Sequence, residues 1–450
     1  MKRRRFLQSA LAASFAFAPW ADAAERLQTG RCTKWSRRIP LRYQADVAVI
    51  GGGIAGVTAA CSAARSGASV ILVERFAVTG GNLTSGGVAS FCGETAGQGM
   101  VFDEMITDLE KFAAIAPYRP YPDLEARVFD HSIFAVLLQE MLLRHRVKLL
   151  LHTQFVDAIN QKGRIADCIV CGPSGPEGLH AEQYIDCSGE AALVHAAGFA
   201  TMKGRPEDGL QLPMSMMFFV RHVAPALAAP QAPEGWFDAI RIKDELPMTS
   251  LWPNGPGSNA LKIKIPGFDA SDTESMTAAE IQGRRRMMQV LDYYQRIEKK
   301  PWRLEYCSPR IGIREGRRAV GDYVLTVDDL RAGRKFADAI AAGVFYLDGH
   351  KPDDDKRTYI LPPDQLAVPP YQIPFRCLLV QRAKNVLTAG RCFSAQQLAL
   401  SSARVSTTCA MMRQAAGIAA GLAVEKRCDP RDLNPVEIRT IVERRGAVLT

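Results

Sequence analysis

Three glycines at the spacing Gly51-x-Gly53-x-x-Gly56 lie within VIGGGIAG, where an apolar run gives way to small, helix-compatible residues. A loop of this kind presents backbone N–H groups at the start of a helix, where they and the helix dipole attract phosphate. Gly51 permits the tight turn, Gly53 lets the amides opening the helix, at Ile54 and Ala55, approach a diphosphate, and Gly56 lets the helix lie close to the strand. Glu74, 23 residues beyond Gly51, ends a second apolar run. A carboxylate there accepts the hydroxyl hydrogens of an adenosine ribose and repels a 2′-phosphate, so NADP is disfavoured.

A second group with chemical potential is cationic: Arg314, Arg317 and Arg318, preceded by Arg310. At helical spacing Arg314 and Arg318 share a face and grip a carboxylate as a fork. A structural network with Glu315 accounts for the same residues equally well. Tyr323 is the candidate proton donor or acceptor. Cys92 reads either as a reactive thiol or as small packing, and His131 either as a helix-end residue or as a catalytic one.

The elements that must position the glycine loop are readable. Residues 45–50, ADVAVI, form the apolar run of a buried parallel strand, residues 57–64 a helix ended at Gly67, and residues 69–73 a second strand. This β-α-β unit reads the ADP half that FAD and NAD share, so other segments must separate the two.

Downstream, residues 79–88 read TGGNLTSGGV. Glu74-Arg75 followed by Gly80-Gly81 resembles the glutathione-reductase-like superfamily of FAD enzymes, in which this loop runs along the pyrophosphate and ribityl chain. Two further blocks are similar to that superfamily: YIDCSGE at 184–190 and NVLTAGR at 385–391. Residues 312–326 and 389–395 resemble a bacterial branch described as FAD-dependent oxidoreductases. The resemblance implies an α/β fold, with a Rossmann-like FAD-binding domain and an inserted α+β substrate domain. It implies FAD contacts from Arg75, Gly81, Asn82, Thr84, Gly86 and Gly87, from Val156, from Ser188 and Gly189, and from Gly390 and Arg391. Arg391 stands where many relatives carry an aspartate. Ser406, Thr407 and Thr408 are expected to cap a helix through Val424 whose dipole faces the flavin; Gly417 and Gly421 read as packing notches in it.

The C-x4-C pair of disulfide reductases is missing, Leu83 and Val88 standing in its place, and Gly255 and Gly257 read as a turn rather than a second nucleotide loop. With no histidine between Glu74 and Phe91, noncovalent FAD is expected. The family implies hydride transfer between a small polar organic substrate and flavin N5, with an external electron acceptor. A C=C reductase fed by an external donor and a noncatalytic flavin electron carrier are the alternatives.

The rest of the chain is expected to divide as follows: an export signal at 1–23, a lead-in at 24–42, the FAD-binding domain at 43–200 and 371–427, the substrate domain at 201–370, and a helical tail at 428–450. The signal combines Lys2 to Arg5, an apolar stretch and Ala21-Asp22-Ala23, and RRRFLQ resembles the twin-arginine motif, which makes it an export signal of twin-arginine type, with an arginine-rich general secretory signal as the alternative. Either implies a periplasmic protein. The net charge of +9 includes the basic residues of this signal, and apart from Arg284 to Arg286 and Arg314 to Arg318 the remaining basic residues are scattered, which argues against nucleic acid as a partner; no apolar run is long enough to span a bilayer. Eleven irregularly spaced cysteines, with one lone C-x-x-C at Cys168 and Cys171, suggest neither a disulfide scaffold nor a metal site.

Overall fold

Val47, Ala48, Val49 and Ile50 are each no more than 2% exposed, which only a strand covered on both faces allows. In this computed structural model, which describes residues 36–119, 125–233 and 235–449, they end the strand Leu41–Ile50 at the centre of a parallel sheet. The strand starts before the expected residue 45 because it pairs in parallel with Gly175–Asp186 from Leu41 onward. The expected export signal lies outside the described residues.

Strand order across this seven-stranded sheet is Lys148–Leu150, Val70–Val73, Leu41–Ile50, Gly175–Asp186, Arg164–Gly172 and Gln154–Gln161. Gly175–Asp186 is shared between two neighbours on its far side. Its first half pairs antiparallel with Arg164–Gly172, and its last residues pair in parallel with Val386–Thr388. The parallel strands therefore end together beside the glycine loop, where open α/β sheets bind their ligands.

Alternation along the central strands sorts their side chains into two cores. Val47, Val49, Val70 and Leu72 face the helices Ile54–Ala64, His131–Arg144 and Thr408–Lys426, while Ala48, Ile50, Ile71 and Val73 face the opposite layer. The first helix is buried almost throughout, and its hydroxyls are satisfied within it: Thr58 donates to the Ile54 carbonyl and Ser62 to that of Thr58. Gly417 sits against it. A Cβ there would lie 2.2 Å from the Ala59 carbonyl oxygen, so the long helix needs a notch at this crossing.

A second, antiparallel sheet runs Thr249–Pro253, Ser258–Ile265, Met214–His222 and Trp302–Cys307. Met214, Met216, Phe218, Val220, Leu261, Ile263 and Ile265 pack on the helix Thr273–Arg296. The opposite face carries Ser215, Met217, Ser250 and Lys262, with Met217 and Ser250 both in register with Lys262. The turn expected at Gly255 and Gly257 is the bend of a hairpin that joins the first two of these strands across residues 254–257.

Candidate active site

The glycine loop separates what folding requires from what a ligand requires. Gly51 has φ +101°, and a Cβ would lie 2.6 Å from the Cys187 carbonyl oxygen; at Gly56 it would lie 1.8 Å from the Gly51 carbonyl oxygen. Both glycines are needed by the backbone itself. At Gly53 a Cβ would meet nothing nearer than the Gly81 Cα at 3.9 Å, so the polypeptide leaves that space open. Gly53 also starts the helix without a side-chain cap, leaving first-turn N–H groups for an outside acceptor. Glu74 is buried at the rim, and its two carboxylate oxygens accept the Gly52 and Phe76 N–H groups at 2.6 and 2.9 Å.

Cations gather beside this cradle. The Arg75 and Arg310 guanidinium carbons each lie 4.9 Å from the centre of the Phe76 ring. Arg75 and Arg391 each approach Glu190 at 3.6 Å. Burial, with Arg75 and Arg391 nearby, pushes Arg310 down to about 10. Arg391 donates to the carbonyls of Gly189 and Ile313, and Asn82 also donates to Ile313, so the arginine segment is fastened to the glycine-rich loop. Arg413, buried on the helix Thr408–Lys426, has no partner for its Nε among the described residues. An open cradle, an uncapped helix start and this cluster of cations fit a diphosphate-linked nucleotide.

A cavity of about 720 Å³ is lined by Gly51, Gly53, Ile54, Ala55, Glu74 and Arg75 and continues under the antiparallel sheet to Ser215, Met217, Ser250, Trp252 and Lys262. Its remaining wall includes Arg314, Tyr346, Asp348, His350, Tyr359 and Arg404. His350 is 2% exposed, and its Nε2 lies 3.0 Å from Asp348 Oδ1, while its Nδ1 has no partner among the described residues. Asp348 also binds Arg404 at 2.6 Å. Burial and the Arg314 charge push the His350 imidazole down to about 3, and His350 and Arg404 hold the Asp348 carboxyl below its ordinary range.

Among the residues expected to touch the cofactor, Gly81, Asn82, Ser188, Gly189 and Arg391 also line the cavity. Others support it from behind. Thr84 donates to the Thr79 carbonyl, a Cβ at Gly86 would meet Asn82, and one at Gly87 would meet Ser308. Gly390 lies against the Ala55 side chain. Val156 is 53% exposed and does not line the cavity: it is the unpaired residue of a bulge between Phe155 and Asp157, and Gln154 and Phe155 reach the wall instead. Thr407 does not cap its helix with its hydroxyl; that group donates to the Cys92 carbonyl at 2.7 Å, and neither Thr407 nor Thr408 reaches the cavity wall.

The three residues expected to act on substrate are not brought together. Residues 311–317 form no helix, and Arg318–Ala319 pairs with Thr201–Met202, so Arg314 and Arg318 do not share a helical face. Arg314 enters the cavity wall. Arg318 is buried elsewhere against Glu315, whose carboxylate also accepts the N–H groups of Gly204 and Leu212 and the Gln397 amide. That pair is the structural network. Tyr323 lies outside the cavity, its hydroxyl donating to Asp329. Cys92 does line the cavity, but burial raises its thiol pKa, and His131 stacks on Phe219 with ring centres 4.7 Å apart. Sequence reasoning passed over Lys262, Asp348, His350 and Arg404.

The sequence model for FAD dependent oxidoreductases matches residues 46–442. The chain belongs to this family. FAD is therefore its cofactor, as the description of this family of FAD dependent oxidoreductases implies. None of the curated proteins matches the chain significantly. Similar solved structures include an anhydrotetracycline hydroxylase from Streptomyces rimosus, 13% identical over 89% of this chain and 65% of that one, with a TM-score of 0.47. This chain thus spans 65% of that protein's length. A geranylgeranyl bacteriochlorophyll reductase-like protein from Thermoplasma acidophilum is 12% identical over 90% and 84% of the two chains, with a TM-score of 0.48. The p-nitrophenol 4-monooxygenase from Pseudomonas putida is 12% identical over 90% and 87%, again with a TM-score of 0.48. No helix among the described residues is long and apolar enough to cross a membrane.

Proposed function

We propose that this member of the family oxidises a small polar organic substrate by hydride transfer, in the chamber between the glycine cradle and the antiparallel sheet. In this reading residues 43–200 and 371–427 hold FAD, residues 201–370 hold the substrate, and an external acceptor reoxidises the cofactor. The observation that carries it is the buried Asp348–His350 pair. Nε2–H donates to Asp348, which fixes the tautomer and leaves the Nδ1 lone pair without a partner among the described residues, on a side chain that lines the cavity. Bound at the cradle, FAD supplies a hydride acceptor at N5. His350 Nδ1 takes the proton that the substrate hydroxyl or amine loses as its C–H hydride departs, and Asp348 stabilises the imidazolium that results. Met217 and Trp252 roof the chamber and limit water. The arginines at 3–5 and the small residues at 21–23 support export to the periplasm in the folded, FAD-loaded state.

Anaerobic mixing of FAD-loaded protein with hydroxy acids, amines and sugars tests the proposal. Bleaching of the flavin band by a saturated substrate is expected. No bleaching by any of them, with turnover of dye-reduced protein on an unsaturated acid, would replace oxidation by C=C reduction.

A further inference from the structure

The inner chamber holds more positive charge than the protein neutralises. Asp348 is already engaged by Arg404 at 2.6 Å and by His350 at 3.0 Å. Arg314, 9% exposed, donates through Nη1 to the Pro213 carbonyl and the Ser215 hydroxyl, and forms no ion pair with the described residues. The Lys262 ammonium has neither a hydrogen bond nor an ion pair among them, and burial beside Arg314 pushes it down to about 8. Trp252, 9% exposed and lining the same cavity, leaves its Nε1–H without a partner among the described residues. The contrast with Lys264 is direct. It lies two residues further along the same strand, yet its ammonium is satisfied, donating to the Arg357 carbonyl at 2.6 Å. Buried cations and donors without partners are costly unless a ligand completes them.

We infer that the chamber binds a carboxylate of the substrate between Lys262 and Arg314, with the Trp252 indole N–H as a third donor, so that the substrate class is an organic acid. The assignment rests on the substrate chamber proposed above and narrows it. Lys262 is presented by strand register, next to Met217 and Ser250, and Arg314 by the loop bridged to Ser215 through Gly312. The two cations therefore come from separate segments and meet only at the cavity. A bound carboxylate has a second effect. His350 faces Arg314, Lys262, Asp348 and Tyr359, and the first two depress its basicity. Neutralising them strengthens the proton acceptor only when substrate is present.

The test needs no turnover, so it stands apart from the hydride-transfer proposal: the flavin band is followed while FAD-loaded protein is titrated with acetate and succinate, and with acetamide and succinamide as neutral counterparts. A saturable band shift is expected from at least one acid at concentrations where its amide gives none. Lys262→Met and Arg314→Met are each expected to weaken acid binding at least about tenfold, the scale of one charge-assisted hydrogen bond. Lys262→Arg is expected to retain most of it, which controls for folding. Equal shifts from acids and amides, no shift from either acid, or acid binding unchanged in both Met variants would overturn the inference.

Discussion

A side chain at Gly53 would project into the cavity rather than into the fold. Gly53→Val is therefore expected to leave the unfolding midpoint of the FAD-free protein nearly unchanged while abolishing FAD retention, as read by absorbance after gel filtration. His350 makes the complementary case. His350→Asn is expected to keep FAD bound but to slow flavin bleaching by about 10²- to 10⁴-fold, the usual worth of a positioned base, measured by anaerobic stopped flow. The two residues were not equally legible. Gly51 and Gly56 act through backbone geometry and Gly53 through the space it leaves for a ligand, and both demands restrict residue type and spacing, so the sequence displays them. His350 and Asp348 lie in a stretch without periodic pattern, between Ala339–Gly343 and Tyr371–Pro374, and nothing local marks a lone histidine as facing a cavity.

At the scale of elements, the helix Thr408–Lys426 is limited by its crossing with Ile54–Ala64. Gly417→Ala would place a methyl 2.2 Å from the Ala59 carbonyl oxygen. Forced separation of the helices is expected to cost about 1–3 kcal/mol, visible as a lower urea midpoint with unchanged slope. The strands and helices of the nucleotide half were readable because each is a long apolar or small-residue run bounded by glycine. The antiparallel sheet was harder. Residues 260–265, ALKIKI, alternate clearly, but such a pattern normally sends its lysines to solvent; here the apolar face is covered by the helix Thr273–Arg296 and the lysine face by the cavity. The arginine block misled for a related reason. Four-residue spacing indicates a shared face only in a helix, and this segment is irregular up to the short strand Arg318–Ala319, so Arg314 and Arg318 serve different sites.

For the whole molecule, the cavity joins the parallel sheet to the antiparallel one, and its walls carry unpaired cations at both ends. FAD should therefore stabilise the protein substantially. At a free concentration 100 times its Kd the gain is expected to be about 2.7 kcal/mol, seen as a higher thermal midpoint that tracks FAD concentration; a midpoint independent of FAD would mean that the cradle and the fold are not coupled. Architecture and cofactor could be read from ordered motifs, whereas the substrate chamber emerges only when the sheet, the 346–350 loop and the arginine loop converge. The most direct measurement of the central claim is the rate of anaerobic flavin bleaching by an organic acid carrying hydrogen or deuterium on the carbon to be oxidised. Slower bleaching with deuterium is predicted, because that C–H bond breaks as the flavin is reduced. Identical rates in a single turnover, or a band that no substrate bleaches, would contradict hydride transfer in this chamber.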